Sequence, residues 1–192
     1  KLIDPVSIEG QLLKAGGSTD IDKAVAEALE QGDSVGGLVE VKAEGLPVGL
    51  GEPFFNKDEA AIAQLLFSLP AIKGLEFGAG FQAASMQGSE HNDPFVSTEG
   101  KTATNNAGGI TGGMTTGNSL ICRLAIKPTS SISRRQHTMN MKTGEMDDLE
   151  LKGRHDACIA LRVPPVAEAA LAIALADLML LEQEIPRIWK RD

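Results

Sequence analysis

The segment from Pro165 to about Glu182 constrains this chain more than any other. Pro165 stands at the natural first position of a helix, where its missing N–H costs nothing. Val166, Ala169, Ala170, Leu171, Ile173, Ala174, Leu175, Leu178, Met179 and Leu181 then cover nearly every side. A helix that is apolar all round belongs in a core or in a bilayer. Glu168 and Asp177 leave a short unbroken apolar run, so the segment is expected to be a central core helix rather than a membrane span.

The remaining elements follow from periodicity and punctuation. Ser18, Thr19 or Asp20 can cap a helix over Ile21 to Glu30, with Gly32 just past its end. Val35 to Ala43 alternates as a half-buried strand. Asn56 is positioned to cap a second helix from Lys57 to Phe67. Further strands are expected over Ile72–Phe77, Gln82–Met86, Leu120–Ile126, Ile132–Lys142 and Met146–Leu151, the last two joined at Thr143-Gly144. Lys1 to Gly17 reads as irregular, Gly88 to Lys101 as a polar surface loop, and the tail with Pro186 and Trp189 as a surface extension. Strands in adjacent pairs between three helices predict an α+β domain with antiparallel sheet, and residues 1–192 read as a single domain.

Between Gly108 and Gly117 lie five glycines, preceded by Asn105-Asn106 and followed, after an apolar run, by Lys127-Pro128-Thr129-Ser130-Ser131. Glycine lets backbone N–H groups approach a ligand closely. One cation beside three hydroxyls suits a phosphate or another anion. Neither G-x-x-x-x-G-K-[ST] nor G-x-G-x-x-G is present, so neither nucleotide fingerprint applies. A third cluster, Gly153-Arg154-His155-Asp156, sets a permanent cation beside an imidazole and a carboxylate.

Composition narrows the function classes. A net charge of −8 and 4% aromatics argue against nucleic acid, which needs a basic face and stacking platforms. Cys122 and Cys158 have no metal-ligand spacing and read as buried thiols in a reducing compartment. His91, His137 and His155 lie in no metal-binding context. The chain opens on Lys1 rather than Met, and is expected to begin inside a longer protein.

Taken together the clusters resemble the C-terminal half of the chorismate synthase family. The match runs through Gly32-Asp33-Ser34-Val35-Gly36-Gly37, Gly45-Leu46-Pro47-Val48-Gly49-Leu50-Gly51 and Ser68-Leu69-Pro70-Ala71-Ile72-Lys73-Gly74. It continues with Asn92-Asp93-Pro94-Phe95, Asn105-Asn106-Ala107-Gly108-Gly109-Ile110, Lys127-Pro128-Thr129-Ser130-Ser131-Ile132 and Gly153-Arg154-His155-Asp156 with Cys158. The resemblance implies a β-α-β sandwich with antiparallel sheets packed on central helices, assembled as a cytoplasmic homotetramer. It implies a lyase of the shikimate pathway and aromatic amino acid biosynthesis, converting 5-enolpyruvylshikimate 3-phosphate to chorismate by anti-1,4-elimination of phosphate. Reduced FMN is required although no net redox change occurs, the reduction coming either from NADPH within the enzyme or from an outside supply.

The resemblance places flavin contacts on Pro70, Ala71, Gly112, Lys127, Pro128, Thr129, Ser130, Ser131 and Arg154. It makes Asp156 the candidate catalytic proton-handling residue, with His155 orienting its neighbours. Ala157 stands where the family usually has Pro. The family's N-terminal Ser-His-Gly motif, second catalytic His and substrate-binding arginines have no counterpart here. The chain is therefore expected to carry much of the FMN site and to show no turnover alone. The alternative is a non-catalytic flavin- or phosphate-binding or assembly module.

Overall fold

A computed structural model of the chain describes residues 3–185. Its element order is β1 (Ser7–Ala15), α1 (Ile21–Glu30), β2 (Gly37–Glu44), α2 (Asp58–Ser68), β3 (Ile72–Phe77), α3 (Gly88–His91), β4 (Ile110–Thr111), β5 (Met114–Thr115), β6 (Leu120–Ile126), β7 (Gln136–Asn140), β8 (Glu145–Leu149) and α4 (Val163–Leu181). Four strands form one antiparallel sheet in the order β1-β2-β6-β3. The fold is α+β with antiparallel pairing, as the sequence predicts.

Alternation along the strands decides which face of the sheet is covered. Val39, Val41 and Ala43 of β2 lie opposite Leu124, Cys122 and Leu120 of β6, and all six are buried. α4 packs over β1 and β2 on the covered face, and α2 packs against α4 and β3. The opposite face is polar. There Arg123 of β6 sits between its cross-strand neighbours Glu40 and Glu76, with Nε 2.8 Å from one carboxylate and Nη1 3.6 Å from the other.

Several expectations needed correction. Lys1–Gly17 contains β1, a nine-residue edge strand with a register shift between Leu12 and Lys14. Its pairing with β2 is a long-range event that local punctuation does not announce. Gln82–Met86 is no strand, because Gly80–Ser85 forms a 3-10 turn in which the Phe81 N–H donates to the Glu76 carboxylate at 3.2 Å. Asn56 does not cap α2. Lys57 holds that position without a side-chain bond, and the Asn56 amide donates to Glu52.

α4 is long and apolar enough to cross a membrane by length and composition, contrary to the short-run argument. It is also less than fully interior. Ala167, Ala170, Leu171, Ala174, Leu175, Leu178 and Met179 are buried, whereas Val166, Ile173 and Leu180 remain exposed. Among the described residues β7 and β8 pair only with each other, as a mostly exposed hairpin laced by His137–Asp148 at 2.9 Å and by Arg135–Asp148. The segment from Pro186 onward, with Trp189, lies outside the described residues.

Candidate cofactor and active site

The candidate site residues fall at two ends of the sheet. At one, Gly37 and Ile72 both lie opposite Ile126, so the entry to β2, the entry to β3 and the exit of β6 meet. Pro70-Ala71 and Lys127–Ser131 therefore issue from the same edge. The Lys127 N–H donates to the Ala71 carbonyl at 2.9 Å, joining the two segments directly. Ala71 holds φ +70, an uncommon conformation for a residue with a Cβ. Such strain persists only where the surroundings enforce it, and it collects at ligand sites.

Lys127 is half-buried, and among the described residues its ammonium makes one contact, 3.5 Å to the Pro128 carbonyl. Thr129 Oγ1 is buried without a hydrogen-bond partner among the described residues. An unpaired buried hydroxyl costs about 1–3 kcal/mol, so a ligand that pairs with it binds favourably. Pro128, Ser130 and Ser131 are exposed beside it. The segment thus offers a cation and three hydroxyls, one of them waiting for a partner.

The residues after α1 tie this segment to the third cluster. Gly32, at φ +63, ends α1 in a double cap: its N–H donates to the Leu29 carbonyl at 3.1 Å, and the Asp33 N–H to Ala28 at 2.9 Å. Ser34 Oγ then donates to the Thr129 carbonyl at 2.6 Å, and the Val35 N–H to Ala157 at 2.7 Å. Asp33 accepts from its neighbour Ser34 N–H and from Arg134 Nη1 at 3.0 Å, which hold its carboxyl below the ordinary carboxylate pKa. The run Gly32-Asp33-Ser34-Val35 carried the family resemblance, but sequence reasoning assigned Asp33 and Ser34 no role. The signal was available: a helix-ending glycine followed at once by two short polar side chains.

Asp156 is half-buried, with Oδ1 accepting from Arg162 Nη2 at 2.9 Å. His155 Nε2 lies 3.3 Å from the Leu151 carbonyl. Arg154 is exposed and has no ion-pair partner among the described residues.

Gly112 lies elsewhere. It belongs to the β4–β5 hairpin, which precedes the Leu120 end of β6, and seven strand residues of about 3.3 Å separate that end from Lys127. Gly112 is exposed at φ +65 and lines a cavity of about 710 Å³ with Asn105, Asn106, His91, Asp93 and Phe95. The two asparagine amides close the loop itself: Asn105 donates to Ser119 at 2.7 Å and Asn106 to Glu90 at 3.2 Å. Asp93 gathers the same loop, accepting from the N–H groups of Asn106 and Ala107 and the hydroxyl of Thr104. The structure thus brings Pro70, Ala71 and Lys127 to Ser131 to one end, ties the Asp156 segment to it, and leaves Gly112 at the other.

Comparison with known proteins identifies the family. A family model described as "Chorismate synthase" matches residues 8–180. The chain is 55% identical over 191 residues to a chorismate synthase of Chitinophaga pinensis, covering 99% of this chain and 58% of that protein. It is 52% identical to the chorismate synthases of Methanosarcina barkeri and Archaeoglobus fulgidus, covering 81% and 82% of this chain and 43% and 44% of theirs. A crystal structure of chorismate synthase superposes with a TM-score of 0.74 at 26% identity, over 93% of this chain and 58% of that one. The match thus spans 43–58% of the length of these relatives, and the chain belongs to the chorismate synthase family.

Proposed function

We propose that this chain supplies the flavin side of a chorismate synthase active site, and that a protein of full family length built on it converts 5-enolpyruvylshikimate 3-phosphate to chorismate and phosphate. The observation that carries the reading is the convergence of Pro70-Ala71 and Lys127–Ser131 on one sheet edge, tied through Val35 to the segment of Asp156. Reduced FMN fits there by the chemistry of its donors. Lys127, the unpaired Thr129 hydroxyl and the exposed hydroxyls of Ser130 and Ser131 would hold an anionic phosphate. The backbone of Pro70-Ala71 and of Pro128 would form the wall beside it.

Bound there, reduced FMN would supply transient electron density to the elimination. Two residues of the chain have roles beside it. Arg154, exposed and without an ion-pair partner among the described residues, meets an anionic group of flavin or substrate. Asp156 handles the proton near the flavin ring: Arg162 fixes one carboxyl oxygen and the other remains to accept. Gly112 joins as a contact from a second copy in a homo-oligomer, since its own chain holds it at the far end of the sheet. Two buried, unpaired thiols support a cytoplasmic setting.

Two measurements test the reading. Titration of the chain with FMN should show saturable binding, weakened at least tenfold in Lys127→Ala. A protein of full family length containing the chain should form chorismate with reduced FMN and substrate, whereas the isolated chain should form none. No chorismate from the longer protein would overturn the proposal.

A further inference from the structure

We propose that Ser34, braced by Asp33 and Arg134, is a positioning residue that sets the anion-binding segment Lys127–Ser131 at a fixed distance from the segment of Asp156. Its link to the flavin rests on the reading above; the brace itself rests on geometry in the chain.

Four residues make the connection. Gly32 turns the chain out of α1, and its carbonyl accepts the Arg134 N–H at 2.9 Å, just beyond the anion segment. Asp33 holds the same Arg134 through its guanidinium, 3.0 Å away. Ser34 reaches across to the Thr129 carbonyl, the residue whose own hydroxyl is buried and unpaired. Val35 donates to the Ala157 carbonyl, next to Asp156. One short strap thus touches both candidate site segments through the adjacent residues Ser34 and Val35.

The arrangement explains why the strap holds polar residues. Lys127–Ser131 has no strand or helix bonds of its own, so an unrestrained segment would sample many conformations and lose ordering entropy on binding. A hydroxyl at 34 fixes one carbonyl, and with it the direction in which the Thr129 side chain points. Gly36 completes the contact: a Cβ there would fall inside contact distance of the Ile126 carbonyl and 3.2 Å from Pro128 Cδ, so the strap can lie this close only without a side chain.

Amide hydrogen exchange on the chain without ligand reads the brace directly. Ser34→Ala should raise exchange about tenfold across residues 127–134 and 154–158, leave α1 and the β2–β6 pairing unchanged, and be reversed by Ser34→Thr, which restores the hydroxyl. FMN affinity should fall about fivefold in Ser34→Ala and recover in Ser34→Thr, as expected for one lost hydrogen bond. If Ser34→Ala does not fold, Arg134→Ala removes the brace at its exposed end and should loosen residues 127–134 alone. Unchanged exchange, or an increase spread evenly over the sheet, overturns the proposal. Selective loosening in a chain that binds no FMN keeps the brace and removes the flavin reading.

Discussion

Asp58 is the side chain most at odds with its surroundings. It is 0% exposed, and neither carboxyl oxygen has a partner among the described residues. Its backbone N–H bonds the Gly113 carbonyl at 2.9 Å, and Gly51 packs against its carboxyl. Burial, and then the nearby charges of Glu59 and Glu182, push its pKa from 3.8 up to about 7. The folded state therefore binds the proton more tightly than the unfolded chain. The stability this contributes is complete below about pH 3.8 and is lost as pH rises through about 7. The loss is on the order of 4 kcal/mol, from about 1.4 kcal/mol per pKa unit. Asp58→Asn keeps the shape without the charge, so its urea midpoint should gain on the parent's between pH 5 and 8. Parallel profiles would refute this account. Cys122, by contrast, is pushed up to about 12 by burial and should resist thiol reagents in the folded chain.

Among the elements, the glycine-rich stretch shows why its composition was readable and its use was not. Five glycines predict positive φ and close approach, and all five have positive φ. Which ones are indispensable depends on neighbours far away in sequence. A Cβ on Gly109, at φ +84, would come within 2.5 Å of the Ser119 carbonyl, whereas one on Gly112, at φ +65, would meet open space. Gly109→Ala should therefore cost at least about 2 kcal/mol, combining strain with a clash, and Gly112→Ala about 1 kcal/mol from strain alone. Equal midpoints in urea would contradict the assignment. The same contrast runs through the secondary structure. α1, α2, β3 and β6 were legible because their periodicity is local, and α1 also because Asp20 caps it. β1 was not, since Gly10 weakens its local signal, yet that position permits the approach of α4: the Gly10 N–H donates to Glu168 at 2.7 Å, and a Cβ there would press on the Pro164 carbonyl.

Over the whole molecule, apolar surface is left uncovered. Val166, Ile173 and Leu180 of α4 face outward, and Phe54, Phe55, Phe81 and Phe95 are each at least 75% exposed. Patches of this kind mark surfaces meant to be covered. The isolated chain should self-associate with rising concentration. Ile173→Glu should shift that equilibrium toward smaller species in analytical ultracentrifugation without lowering the melting temperature, because residue 173 lies off the buried face.

The sequence alone determined the family, the α+β class, the long apolar helix and the motifs that hold the candidate site, since each is written in local pattern or residue order. Tertiary structure decided what those motifs share. It put Ala71 beside Lys127, Ser34 beneath Thr129 and Gly112 at the opposite pole, and it left one face of α4 open. The reason is physical: antiparallel register fixes which strand ends meet, and register is a property of residues paired across the sheet rather than of any one stretch of chain.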